Sequence, residues 1–206
     1  KIYAKENVLL LNEYRQAFRN GFLTLDTSYT DGYKSVSSTK TDGSRNHIFA
    51  KLNLNSDENK SYESNFSVNI QRTSNDTYFR KHDINTALVN AEETILENKI
   101  KYTFSKDDMF FDIEANSYQD LRKKKNSDQY EYILPNILYG KTFFTEKFGL
   151  INLKSNALYS KYDTNKQKTF LTNDVAWRPS SIITKKGFVS TLEAMVRNTN
   201  YEARKT

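Results

Sequence analysis

The chain has no cysteine in 206 residues, which removes disulfide scaffolds, thiolate-held zinc and thiol catalysis in one step. No apolar run approaches the roughly 18–20 residues that a membrane-crossing helix needs. The longest is a few residues around Val8 to Leu11, so helical membrane proteins are excluded. Glycine-rich phosphate loops, a GxSxG elbow and HExxH are all missing, and with them the motifs that carry a catalytic mechanism. The expectation is a protein that is not an enzyme and holds no cofactor. Proline occurs only at Pro135 and Pro179, and the six glycines fall mostly in or near turns, as at Gly21, Gly32, Gly43, Gly140 and Gly187.

What is present suits surfaces wet on one side and greasy on the other. Hydrophobic residues make up 37% and mean hydropathy is −0.78, yet 14 Tyr and 13 Phe raise the aromatics to 14%. A β-barrel crosses a membrane with only every second residue facing lipid, so low average hydropathy does not argue against spanning. The net charge of +6 favours anionic partners such as phosphorylated lipid or nucleic acid, but 31 basic residues are interspersed with 25 acidic ones, which disfavours nucleic acid. Lys1 is not an initiator Met and no signal peptide follows it, while the chain stops at Arg204, Lys205 and Thr206 rather than on the aromatic residue that usually closes a barrel. Residues 1–206 are therefore expected to be an internal fragment of one outer-membrane β-barrel domain.

Period-two alternation dominates, in segments of about ten residues separated by polar turns. Tyr62, Phe66, Val68 and Ile70 share one face, while Glu63, Asn65, Ser67, Asn69 and Gln71 share the other. Ile48, Ala50, Leu52 and Leu54 oppose His47, Lys51 and Asn53, and Met109, Phe111, Ile113 and Ala115 oppose Asp112, Glu114 and Asn116. The pattern continues through Ile151, Leu153, Ala157 and Tyr159, then Leu171, Val175 and Trp177, then Phe188, Leu192, Ala194 and Val196. It predicts an all-β, antiparallel transmembrane barrel segment of about ten strands, near 7–19, 22–30, 46–55, 60–73, 95–105, 108–120, 130–139, 147–160, 168–178 and 187–201.

The predicted connections alternate in length. Asn20-Gly21, Ser56 to Asn59 and Lys106-Asp107 are short, as periplasmic turns are, whereas Asp31 to Arg45, Ser74 to Thr94 and Arg122 to Gln129 are long, as extracellular loops are. Two later links on the short side, near Gly140 to Lys147 and Pro179 to Lys186, are longer than that rule prefers. Pro135 predicts a bulge or kink, because proline has no ladder donor to offer. Ala87, Leu88, Ala91 and Ile95 predict a short helix over Thr86 to Ile95 within a loop.

Other constellations have plain readings. His47 and His82 lack metal-like spacing and read as ordinary polar residues, and Glu92-Glu93 and Asp107-Asp108 read as solvated acids rather than an acid–base pair. The run Arg122, Lys123, Lys124, Lys125 would attract phosphates, or is simply a solvated loop. Tyr29, Tyr62, Tyr102, Phe104, Tyr130, Tyr132, Tyr159 and Trp177 lie mainly toward strand ends, where a barrel carries its aromatic girdles. A soluble β-sandwich core would use the same aromatics, but the opposite face is too rich in Asn, Lys, Glu and Ser for it.

Several segments, in order, resemble the LptD (OstA) family of lipopolysaccharide-assembly proteins: Leu11-Asn-Glu-Tyr-Arg-Gln-Ala-Phe-Arg-Asn-Gly21, Arg45-Asn-His-Ile-Phe-Ala-Lys51, Ser74-Asn-Asp-Thr-Tyr-Phe-Arg80, Ile133-Leu-Pro-Asn-Ile137, and the strand from Gly149 through Asn156 and Ala157. The resemblance implies an interior run of barrel wall in a lipopolysaccharide translocon of the cell outer membrane. It also implies lipopolysaccharide as cargo, an LptE-like lipoprotein plug in the lumen, and a periplasmic lipopolysaccharide bridge docking through a jellyroll that this stretch does not contain. Combined with the alternation, it nominates Glu63, Asn65, Asn69, Gln71, Asn152, Lys154 and Asp174 as lumen-side sugar contacts, and Phe66, Val68 and Ile70 as lipid-facing. A general porin or other outer-membrane channel fits the alternation equally well.

Overall fold

β-Branched and aromatic residues alternating with short polar ones favour extended chain with two unlike faces, and neighbouring segments of that kind pair most simply as hairpins. The computed structural model, which describes residues 7–32, 43–56, 60–90, 92–122, 130–162 and 164–205, follows this rule throughout. Its elements are β1 (Leu10–Phe18), β2 (Gly21–Thr30), β3 (Arg45–Asn55), β4 (Glu63–Thr73), α1 (Tyr78–Lys81), β5 (Ile95–Lys106), β6 (Met109–Asp120), β7 (Tyr130–Thr145), β8 (Gly149–Tyr162), β9 (Lys166–Arg178), β10 (Ile182–Ile183), β11 (Val189–Ser190) and β12 (Ala194–Lys205). Ten strands form one antiparallel sheet in the order β1-β2-β3-β4-β5-β6-β7-β8-β9-β12, and β10 and β11 form a separate hairpin. Every neighbour in the large sheet is the next long strand in the sequence, which is the up-and-down connectivity of a barrel wall.

The chain divides into two compact units, the first comprising Lys1–Asn55, Phe66–Ile100 and Asn116–Ser127, the second Ser56–Asn65, Lys101–Ala115 and Asp128–Thr206. In the first unit, β1 pairs with β2 from Leu10↔Tyr29 to Phe18↔Gly21, and β2 pairs with β3 from Gly21↔Leu54 to Thr30↔Arg45. Gly21 is required here, since a Cβ at this position would run into the Asn53 carbonyl. Leu9, Phe49, Tyr78, Phe79, Ile84, Val89, Leu96 and Leu121 make the hydrophobic cluster, with Leu88 packed against it. In the second unit, β8 pairs with β7 from Thr145↔Gly149 outward and with β9 from Leu150↔Arg178 to Lys161↔Gln167, while β12 closes the order on β9.

Three local differences from the sequence reading have clear causes. The short helix is α1 at Tyr78–Lys81, not Thr86 to Ile95; instead the Thr86 hydroxyl accepts from the Leu88 and Val89 amides at 3.0 Å each and bends the chain into a turn. The link near Gly140 to Lys147 is short after all, because β7 continues to Thr145. The predicted last strand is two elements: β12 begins at Ala194, and Phe188 and Leu192 belong to the connection that carries the β10–β11 hairpin. The register shift between Ile133 and Asn136, spanning Pro135, is the predicted irregularity.

Candidate functional site

Residues directly opposite in an antiparallel ladder share a face, so the register sorts side chains without further assumption. On the polar face of β2 and β3 lie Asp26, Ser28, His47 and Phe49, all buried. They are buried because the connection from β4 to β5 folds over them. Asn75 starts that fold, its side-chain oxygen accepting from the Thr77 amide at 2.9 Å and the Thr77 hydroxyl at 2.8 Å. The single turn of α1 then turns both Tyr78 and Phe79 inward. Phe79 meets Phe49 edge-on at 5.4 Å between centroids, and His47 stacks on Phe49 at 4.4 Å.

Within this apolar setting runs a chain of four polar groups. His47 Nε2 lies 2.9 Å from an Asp26 carboxylate oxygen, His47 Nδ1 is 2.6 Å from Ser28 Oγ, and Ser28 Oγ is 2.6 Å from the Tyr78 hydroxyl. A carboxylate only accepts, so Nε2 carries a proton; with Nδ1 bare, Ser28 donates to it and Tyr78 donates to Ser28. The residue types are those of a hydrolytic triad, but Ser28 is buried and its oxygen is engaged by Tyr78 as well as by His47. The arrangement ties a loop to two strands. Sequence reading had treated His47 as an unremarkable polar residue, and its Asp-x-Ser partner on the neighbouring strand is visible only once the β2–β3 register is known.

Beside this cluster an open cavity of about 400 Å³ is lined by Lys51, Asn53, Ser67, Asn69, Gln71 and Lys99, with Leu52, Val68, Ala87 and Leu88 completing it. Two of the predicted sugar contacts, Asn69 and Gln71, are therefore together. Asn69 donates to the Glu97 carbonyl at 3.1 Å and Gln71 accepts from the Glu97 amide at 3.0 Å, so both amides are held in place. Glu63 opens β4 as an exposed residue and Asn65 is half-buried; neither lines the cavity. Of the three residues nominated for the opposite face, Phe66 and Val68 are half-buried and Ile70 is exposed, and Val68 also touches the cavity rim.

Asn152, Lys154 and Asp174 lie in the second unit, as do Glu63 and Asn65. Asn152 accepts from the Thr142 hydroxyl at 2.8 Å. Lys154 stands opposite Asp174, and Asp174 stands opposite Arg197, which grips it through two bonds of 2.7 and 2.8 Å. In the same unit Lys101 reaches Asp112 at 2.9 Å and Glu114 at 3.8 Å. Alternation had set Lys51, Asp112 and Glu114 on the polar face without nominating them; Lys99, Lys101 and Arg197 were missed. Each unit thus carries amides, hydroxyls or paired charges that offer both donors and acceptors. Arg122, the first of the basic run, forks onto Asp120, while Lys123 to Lys125 lie outside the described residues. Among the described residues no group of three His, Cys, Asp or Glu is placed to hold a metal, and no helix is long and apolar enough to cross a membrane.

A ten-stranded antiparallel up-and-down sheet with alternating polar and apolar residues is a segment of a transmembrane β-barrel. Residues 43–206 match the family model for LptD, LPS transport system D, and the chain belongs to this family. The family is a lipopolysaccharide-transport component of the outer membrane and not a family of enzymes. Among curated proteins, no relative matches the chain.

Proposed function

We propose that this chain is part of the wall of the lipopolysaccharide translocon and resides in the outer membrane, where the barrel delivers lipopolysaccharide to the outer leaflet. The family match over residues 43–206 carries the reading. The polar face supports it, because a sugar chain in transit needs hydrogen-bond partners along its whole path. Glu63, Asn65, Asn69, Gln71, Asn152, Lys154 and Asp174 would contact the sugar, with Lys51 and Lys99 lining the cavity beside Asn69 and Gln71. Phe66, Val68 and Ile70 would face lipid. A lipoprotein plug of the LptE kind in the lumen and a periplasmic bridge delivering the cargo are the partners this role requires. No covalent step is involved, and the energy for moving the lipid comes from those partners.

Depleting the full-length protein tests the reading. Surface lipopolysaccharide, followed by an outer-leaflet lipid A modification, should fall while lipopolysaccharide accumulates inside the cell. Unchanged surface lipopolysaccharide with reduced influx of a small solute would instead identify a porin.

A further inference from the structure

Among the described residues, the connection from β9 to β12 is the short-side link that carries a hairpin of its own. It carries the β10–β11 hairpin, paired Ile182↔Ser190 and Ile183↔Val189, with an ordered tip in which the Thr184 amide donates to the Phe188 carbonyl at 2.9 Å and the Gly187 amide to the Thr184 carbonyl at 2.9 Å. Gly187 sits at φ +84°, a conformation that suits glycine. The Arg178 guanidinium and the Glu193 carboxylate, 2.8 Å apart, close the base.

This well-formed hairpin exposes almost everything that should be hidden. Ile182 is 70% exposed, Ile183 71%, Phe188 71% and Val189 64%. Register puts Ile183 and Val189 on one face and Ile182 on the other, so no single packing surface would cover them. Two-stranded hairpins this short are marginal in water, and such an apolar tip needs an apolar surrounding. The charges on it are of one sign: Lys185 and Lys186 stand at the tip, and no acid occurs between Arg178 and Glu193. Its base adjoins exposed aromatics, since Trp177 Nε1 donates to the Phe148 carbonyl at 2.6 Å and Phe144 is 70% exposed.

We propose that the β10–β11 hairpin is a membrane anchor that dips Ile182, Ile183, Phe188 and Val189 into the phospholipid leaflet around this end of the barrel, with Lys185 and Lys186 binding anionic head groups. Aromatic side chains at the base mark the level at which a barrel meets head groups, and lysines can extend their stems through the apolar layer to reach phosphate. Apolar residues on both faces suit immersion in lipid better than docking of one face on a protein.

The test uses the full-length protein reconstituted in vesicles of phosphatidylcholine alone or of equal parts phosphatidylcholine and phosphatidylglycerol. An environment-sensitive fluorophore is placed on a Phe188→Cys variant and, separately, on Ile183→Cys, both outside the barrel strands. Blue-shifted emission, quenched by spin-labelled lipid and not by aqueous iodide, and stronger with phosphatidylglycerol, is the expected result. The Lys185→Glu, Lys186→Glu double variant should lose the phosphatidylglycerol enhancement. Emission open to iodide in both vesicles would overturn the proposal, as would a label shielded from both quenchers, which would mean that protein covers the hairpin. The readout is the same whatever passes through the barrel.

Discussion

The two compact units solve the same structural problem in different ways. In the first, the polar face of the strands is partly roofed by the loop between β4 and β5, and all eight members of the hydrophobic cluster belong to it. In the second, β8, β9 and β12 run side by side with no such roof, and Leu171, Val175, Trp177, Val196 and Tyr201 are exposed. One unit has a core in the sense of a soluble protein. The other relies on ladder hydrogen bonds and cross-strand polar pairs. On the apolar face of the second unit, the Ser155 hydroxyl donates to the Asn173 side-chain oxygen at 2.7 Å.

That contrast can be broken most forcefully at Phe79. It is fully buried, and Phe79→Ala should cost about 3–5 kcal/mol by removing contacts and leaving a cavity. Val175→Ala, at an exposed position of β9, should cost far less if, as proposed, lipid fills the space. Denaturant unfolding of the refolded barrel measures both, and equal losses would erase the distinction between the units. Next in size is the choice of face on β4: Val68→Arg should cost about 2–4 kcal/mol if Val68 meets the middle of the bilayer, and Asn69→Arg much less. Equal tolerance, or the reverse order, in an assembly assay would overturn the facing proposed for this strand.

A smaller effect is expected at Tyr78→Phe, which removes one donor to Ser28 and costs about 0.5–1.5 kcal/mol, since Ser28 keeps its bonds to His47. Faster amide exchange at Leu88 and Val89 should accompany it, since the loop would loosen; unchanged exchange would mean that the aromatic cluster alone holds the roof. Arg197→Ala should have the least effect on stability, because the pair with Asp174 is exposed on the Arg197 side. A shift that vanishes in high salt is the expected signature. Sidedness separates the two ends of the strands: on intact cells a cysteine at Glu92 should react with an impermeant maleimide and one at Glu146 should not.

Alternation was enough to read the strands, because period two survives whatever the neighbours do. It recovered the long strands, the opposed sets on β3 and the break at Pro135, and the connectivity followed from the turns. It failed where side chains meet across distance. Phe49 lies among polar-face residues and reads as an exception until Tyr78 and Phe79 arrive from 30 residues further on. His47 finds Asp26 and Ser28 only through the register of β2 with β3. The hairpin tip misled for another reason: Phe188 and Leu192 continue the apolar spacing of Ala194 and Val196 in sequence, although the ladder with β9 starts only at Ala194. Of the long connections, most of Asp31 to Arg45 and of Arg122 to Gln129 lies outside the described residues, as does Asp57 to Asn59 on the short side.

The four-group chain from Asp26 to Tyr78 also constrains the register of the strands that carry it. Slipping β3 by one residue against β2 would send His47 to the opposite face from Asp26 and Ser28. Ser28 and Asp26 would then lose their shared partner on β3, and Phe79 would meet Ile48 or Ala50 in place of Phe49. The full set of contacts under the loop thus forms only on a hairpin in its correct register, and loop closure stabilises that register over its one-residue neighbours.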